Sequence, residues 1–375
     1  MSKVNFELTF VPDIHQLYDA KRGYGFAIAV MRSKTEDMRD SWPGDYFEPM
    51  VPSLLIDVPN GNYEVKLMIG SATEAADVTV KEGLGRLKLY QVTTEPGETI
   101  TKSFAVHVQD GQLKLAFAGK SPIVQQVSIR RDASIPTIFL TGDSTVTDQP
   151  SGHFPYTGWG QMIGLFLNEK IAVANHACSG RSSKSFIVET RLNRVAKKLR
   201  RGDYLAVQFA HNDEKEGEMG TDPFTTYQQY LKQYIELARE KEAYPILIAP
   251  MHRRVFQEDG SIENTHGEYI EAMCQLAIEE SVPFVDLAAL SKTYFEQLGA
   301  ELTKRIFLWT KAGEYDYLPE GTEDNTHFRE YGAFQIARLI TEGVTTAGVQ
   351  LMQHIIPATE INELQHKFER NDLVK

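Results

Sequence analysis

Cysteine is scarce in this chain, and that already excludes one class of protein. Two cysteines in 375 residues, Cys178 and Cys274, are too few for a disulfide framework. Both sit among apolar neighbours and are expected to be free thiols. Long hydrophobic runs are missing as well. No stretch reaches the roughly 18 apolar residues that a spanning helix needs, so no membrane is expected as a partner. Positive charge is also in deficit: 39 Lys and Arg against 51 Asp and Glu give a formal net charge of -12. Such a surface repels polyanions, and no nucleic-acid partner is expected. The one basic cluster, Arg194 to Arg201, carries its apolar residues at helical spacing and reads as a solvated helix face. The opening residues, Met1 to Glu7, lack the charged and then apolar segments of a secretory leader. The expectation is a cytoplasmic chain as it stands, or a secreted one if a leader has been removed.

What is present is an ordinary globular composition, 42% hydrophobic and 24% charged, at a length that favours two domains. Up to about residue 133 the hydrophobic pattern has period two. Tyr63, Val65, Leu67 and Ile69 alternate with Glu64, Lys66 and Met68, and similar runs occur at Phe104–Val108 and Leu113–Phe117. Turn signals separate them, Pro59-Asn60-Gly61-Asn62 before one strand and Asp110-Gly111 between two, the latter read as a hairpin. Residues 1–133 are expected to form an antiparallel β-sandwich. The stretch Arg130 to Pro136 reads as the connection to a second domain, residues 134–375. There, apolar runs at 137–140, 171–175, 204–209, 245–249 and 283–287 alternate with helical patterns, including Val188, Leu192, Val195 and Leu199. Five strands with intervening helices predict an α/β domain built on a parallel sheet. In such sheets ligands bind beyond the carboxyl ends of the strands, so functional residues belong directly after them.

The residues after the strands fit acyl transfer. The first strand ends at Gly142-Asp143-Ser144, which offers Ser144 as a nucleophile, with Asp143 bracing the turn. The second is followed by Ser179-Gly180-Arg181 and the third by His211-Asn212-Asp213. Late in the chain lies a loop carrying Asp324-Asn325-Thr326-His327. A serine hydroxyl needs an imidazole to take its proton, and the imidazole needs a carboxylate to fix its tautomer. His327 and Asp324 suit those roles. The N–H groups of Ser144 and Gly180 and the side chain of Asn212 suit an oxyanion hole. Trp159 either walls a sugar pocket or packs the helix after it. His176 and His211 raise a metal site, but no Cys/His cluster or HExxH motif accompanies them, so neither metal nor cofactor is expected. His252-Arg253-Arg254 reads as surface ion pairing or as a contact to an anionic sugar.

Together Gly142-Asp143-Ser144, Gly180, Asn212 and Asp324-x-x-His327 resemble the four blocks of the SGNH, or GDSL-type, hydrolases. The family's block order is kept across the second domain. Gly142-Asp143-Ser144-Thr145-Val146, Tyr156-Thr157-Gly158-Trp159-Gly160 and Ser179 to Ser183 are most similar to the rhamnogalacturonan acetylesterase branch. Thr145 departs from the leucine of many superfamily members but matches that branch. The resemblance implies a flavodoxin-like three-layer α/β/α catalytic domain with a five-stranded parallel sheet. It also implies a Ser144–His327–Asp324 triad acting, without a metal, on O-acetyl esters of a pectic oligo- or polysaccharide. The first domain resembles a galactose-binding-like sandwich. Rival readings are a lipase or thioesterase on the same scaffold, and an inactive carbohydrate-binding relic.

Overall fold

A computed structural model describes residues 6–27 and 53–374. Met1 to Asn5, which carry most of the leader expectation, lie outside the described residues. By their internal contacts the described residues form two compact units. One takes the residues up to Thr137 together with Leu167–Val173 and Ile356–Lys367; the other takes Ile138–Phe166, Ala174–Ile355 and Phe368 onward.

The first unit holds two antiparallel sheets. One orders β1 (Glu7–Phe10), β9 (Val124–Arg131), β4 (Gly61–Gly70) and β7 (Thr99–Val108) in the sequence β1-β9-β4-β7. The other orders β2 (Tyr24–Ala27), β3 (Ser53–Asp57), β8 (Gln112–Ser121), β5 (Ala76–Glu82) and β6 (Arg86–Thr94) as β2-β3-β8-β5-β6. The period-two pattern explains the packing: Tyr63, Val65, Leu67 and Ile69 of β4 share one core with Leu54, Val78, Val80 and Leu115 from the other sheet. Asp110-Gly111 does not close a hairpin. β7 and β8 lie in different sheets, so this turn carries the chain across the sandwich. Arg130 and Arg131 are not linker either, since they complete β9 against β4.

The second architecture is a five-stranded parallel sheet in the order β11-β10-β12-β13-β14, from β10 (Thr137–Gly142), β11 (Ala172–Asn175), β12 (Tyr204–Gln208), β13 (Tyr244–Ile248) and β14 (Phe284–Val285). The order reverses at β10, the first strand in sequence, which puts β10 and β12 side by side with their ends aligned: Gly142 pairs with Gln208. On one face, α3 (Gln228–Glu240) and α4 (Tyr269–Glu279) bury Leu231, Tyr234, Ile235 and Met273 against Phe139, Leu205, Val207 and Leu247. α6 (Glu330–Thr346) covers another part, packing against α5 (Leu287–Leu302) and the short turns at 159–166, where Phe334 meets Phe166 at 5.1 Å. The helix expected across Val188–Leu199 is broken. α1 (Ser183–Val188) ends before Thr190, whose φ of 59° is left-handed, and α2 (Arg191–Ala196) starts anew. A separate hairpin, β15 (Phe307–Thr310) with β16 (Thr322–Phe328), precedes α6.

Among the described residues no helix is long and apolar enough to cross a membrane, and neither Cys178 nor Cys274 is in a disulfide.

Candidate active site

β10 is buried along its whole length and delivers Gly142-Asp143-Ser144 to the carboxyl edge of the sheet. Glycine is required at 142 by close packing: a Cβ there would stand 2.5 Å from Val146 Cγ2 and 2.7 Å from the Gln208 carbonyl oxygen. Asp143 then ties the turn. Its Oδ1 accepts hydrogen bonds from the Thr145 N–H (2.9 Å) and hydroxyl (2.8 Å), and its carbonyl accepts from the N–H groups of Val146 and Thr147, both at 3.1 Å. Burial raises the Asp143 pKa, against the pull of the Thr145 bonds and the nearby charge of His327. Gln208 of the adjacent strand donates to the Thr145 hydroxyl at 2.8 Å. The serine therefore projects from a turn fixed on both sides.

His327 and Asp324 reach it through an irregularity that the sequence does not advertise. They lie in a strand, β16, rather than a simple loop. Residues three apart in a regular strand face opposite sides. Here Phe307 pairs with Phe328, while the next residue, Leu308, pairs with Asp324. Asn325, Thr326 and His327 are thus extra residues in a wide bulge, and the chain curls so that the acid and the imidazole meet. Ser144 Oγ lies 2.9 Å from His327 Nε2, and His327 Nδ1 lies 2.7 Å from Asp324 Oδ2. Asp324 Oδ1 accepts from the N–H groups of Thr326 (2.7 Å) and His327 (2.9 Å). Burial is the largest single influence on the Asp324 carboxyl and pushes its pKa up. The hydrogen bond to His327, that ring's charge and the two amide bonds together outweigh it and hold the pKa at about 2.

The bulge is held from outside. Asn325 Oδ1 accepts from the indole N–H of Trp309 (2.9 Å) and from Arg254 (3.3 Å), while the Arg254 backbone N–H donates to the Asn325 carbonyl at 2.9 Å. The Arg254 guanidinium also lies 4.5 Å over the Trp309 ring. Arg254 thus braces the bulge and Trp309, whereas Arg253 pairs with Glu214.

The donors expected of an oxyanion hole occupy connected loops. Gly180 has a φ of +79° with open space where a Cβ would point, so the left-handed backbone alone calls for glycine. Asn212 donates from Nδ2 to the Arg181 carbonyl (3.1 Å), next to Gly180, and Lys215 Nζ fixes the other end of its amide at 2.7 Å from Oδ1. Gln149, unremarked in the sequence, donates to the Ser144 carbonyl (3.0 Å) and to the Ser179 hydroxyl (3.3 Å). One buried glutamine therefore links the serine turn to the glycine loop. Asp213 accepts from the Ser183 N–H through both carboxylate oxygens (3.0 and 3.1 Å), and burial pushes its pKa up to about 7 against those bonds.

Of the two sequence readings of Trp159, the structure favours packing. It is 1% exposed and its N–H donates to Gln208 Oε1 at 2.8 Å, so the ring braces the core beneath the turn and has no face for a sugar. The aromatic residue at the serine is Tyr156, whose ring packs edge-on against His327 with centroids 4.9 Å apart and whose hydroxyl interacts with the Ser144 side chain. Tyr156 lay within a recognised motif, but nothing in sequence spacing marked its ring over that of Trp159.

Of the histidines considered for a metal, His211 lies with Glu214 and His266 in a group whose ligand atoms fall within 4.8 Å of one another; His176 is not part of it. The protein itself takes up most of these atoms. Glu214 is shared by Arg253 and His266 Nδ1 (2.9 Å), and His266 Nε2 lies 3.0 Å from the Met251 carbonyl oxygen. This is a hydrogen-bonded network with a guanidinium inside it, a poor setting for a cation.

Residues 140–332 match the model of the GDSL-like lipase/acylhydrolase family. The rhamnogalacturonan acetylesterase RhgT of Bacillus subtilis (strain 168) is 45% identical over 219 residues, 58% of this chain and 94% of that protein. The rhamnogalacturonan acetylesterase of Emericella nidulans is 25% identical over 255 residues, 62% of this chain and 94% of its own length. The crystal structure of YxiM from Bacillus subtilis, at 24% identity, superposes with a TM-score of 0.52 over 92% of this chain and 99% of that one, a likeness of fold. A matched segment that runs from the strand leading to Ser144 to the helix after His327 assigns the chain to a family of carboxylic ester hydrolases: it belongs to the GDSL-like lipase/acylhydrolases.

Proposed function

We propose that this chain is a serine esterase that removes O-acetyl groups from carbohydrate, with pectic rhamnogalacturonan as its substrate class. The observation that carries the reading is the continuous relay from Ser144 Oγ to His327 Nε2 (2.9 Å) and from His327 Nδ1 to Asp324 Oδ2 (2.7 Å). In the proposed reaction Ser144 Oγ adds to the acetyl carbonyl as its proton passes to His327 Nε2. The oxyanion accepts hydrogen bonds from the N–H groups of Ser144 and Gly180 and from Asn212, each such donor lowering the barrier by about 3 kcal/mol. The imidazolium, stabilised by Asp324, gives its proton to the departing sugar oxygen and leaves an acetylated Ser144. Water then adds to that ester with His327 as base, releasing acetate and restoring the serine. The substrate class rests on the names of the relatives, RhgT among them. The chemistry is assigned to residues 134–375, and the sandwich at 1–133, taken as a galactose-binding-like module, is given no catalytic part.

The test is acetate release from acetylated rhamnogalacturonan, alongside p-nitrophenyl acetate turnover, by the wild type and by Ser144→Ala. The reading expects both activities in the wild type and neither in the variant. Retained turnover in Ser144→Ala defeats the nucleophile assignment. A preference for long acyl chains over acetate favours the lipase reading instead.

A further inference from the structure

Beside the Ser144 turn, two segments bring aromatic rings together in a way that the relay does not require. The strap 153–157 is held at its inner end by the Thr157 N–H, which donates to the Phe328 carbonyl at 3.1 Å, one residue beyond His327. That contact sets Tyr156 against the catalytic imidazole. Moving outward, Phe154 meets Tyr315 edge-to-face (5.6 Å, 71°) and His153 stacks flat on Tyr317 (4.2 Å, 14°). The second segment, the span between β15 and β16, is pinned by Arg329, which donates to the Tyr315 hydroxyl (2.8 Å) and to Glu314 (3.2 Å). Phe154 and Tyr317 are each 38% exposed. An exposed aromatic cluster that begins at a nucleophile and is held in place from both segments has the character of a ligand surface.

The geometry points to this cluster, with Phe154 and Tyr317 as its outer faces, as a subsite for a pyranose ring of the substrate. A pyranose offers a flat face of C–H bonds and a rim of hydroxyls. Flat π faces rimmed by tyrosine hydroxyls, an imidazole and the Glu314–Arg329 pair complement both parts. An acyl chain would call for an aliphatic groove, and the side chains that form this rim are aromatic or ionisable. Burial lowers the pKa of His153 and so favours its neutral form, which suits a stacked ring. The subsite deepens the carbohydrate acetylesterase reading and rests on it.

The experiment compares kcat/KM for an acetylated pectic oligosaccharide with that for p-nitrophenyl acetate, which has no sugar, in the wild type, Phe154→Ala, Tyr317→Ala and Tyr317→Phe. Melting curves confirm that each variant is folded. The two alanine variants are expected to lose roughly tenfold more on the oligosaccharide than on p-nitrophenyl acetate, chiefly through KM. Tyr317→Phe keeps the ring and should recover most of that selectivity. Equal losses on both substrates, or no loss on either, overturn the subsite. A selective loss on p-nitrophenyl octanoate also overturns it, in favour of an acyl groove. Failure of the underlying reading is visible separately: a wild type that cleaves p-nitrophenyl acetate but frees no acetate from any acetylated carbohydrate removes the substrate class, and the subsite with it.

Discussion

Replacing Asp324 by asparagine isolates the part of the relay that the structure quantifies. The carboxylate sits 2.7 Å from His327 Nδ1, and its pKa is held at about 2 against an ordinary 3.8 despite burial. A depression of nearly two units corresponds to about 2.5 kcal/mol of preference for the ionised form. Asp324 retains some contact with solvent, so screening reduces this to about 1–2 kcal/mol. Part of that preference is owed to the imidazole, which is stabilised as a cation in return. Losing it alone slows the reaction by about tenfold. Asparagine adds a second defect, because an amide N–H turned towards Nδ1 favours the tautomer whose Nε2 already carries a proton and cannot accept one from Ser144. The combined loss in kcat is expected to reach about 10³–10⁴-fold. The assay is p-nitrophenyl acetate turnover near neutral pH, with a melting curve to confirm the fold. A loss under about threefold would refute the reasoning, since no triad tolerates the wrong tautomer so lightly. Acid titration gives an independent check. A folded-state pKa below the unfolded one contributes stability that is present above the unfolded value and lost as pH falls through the folded one. The stability gap between wild type and Asp324→Asn should therefore shrink as pH falls from about 4 towards about 2.

Gly142→Ala places a methyl 2.5 Å from Val146 Cγ2 and 2.7 Å from the Gln208 oxygen; a destabilisation of about 1–3 kcal/mol is expected, read as a lower melting temperature, together with reduced kcat as the Ser144 turn shifts. Trp159→Phe leaves Gln208 Oε1 without its donor and should cost about 1–3 kcal/mol of stability with little change in KM. A raised KM at unchanged melting temperature would instead return Trp159 to the pocket wall. Arg254→Ala removes one of the two donors to Asn325 Oδ1 and the stack on Trp309, and should lower kcat on the order of tenfold while KM holds, because a misplaced bulge misaims His327. Arg254→Lys should not restore kcat, since a point charge cannot reproduce the planar stack on Trp309.

Much of the architecture was readable because buried strands and the turns after them obey local rules. The apolar runs at 137–140, 171–175 and 204–209 coincide with β10, β11 and β12, and Ser144, Gly180 and Asn212 do follow strands. What stayed hidden depends on partners distant in sequence. Asp110-Gly111 has the chemistry of a hairpin turn, yet whether its flanking strands pair is decided by the two sheets of the sandwich. The three-residue bulge in β16 is a property of its pairing with β15, and sequence spacing showed only that Asp324 and His327 were near each other. Trp159 and Tyr156 are three residues apart in one motif and chemically alike as candidates. The ring over His327 was decided by the bridge from Thr157 to Phe328, which no local pattern encodes. Thr190 broke an otherwise good helical spacing through a left-handed residue that carries no glycine signal.

The most direct test of the central claim is covalent labelling with a fluorophosphonate, followed by peptide mass spectrometry. If His327 and Asp324 activate the Ser144 oxygen, a single adduct should form on the peptide bearing Ser144, and in His327→Ala its rate should fall by at least about a hundredfold. An adduct on another residue, or labelling of Ser144 at an undiminished rate in His327→Ala, would contradict the account.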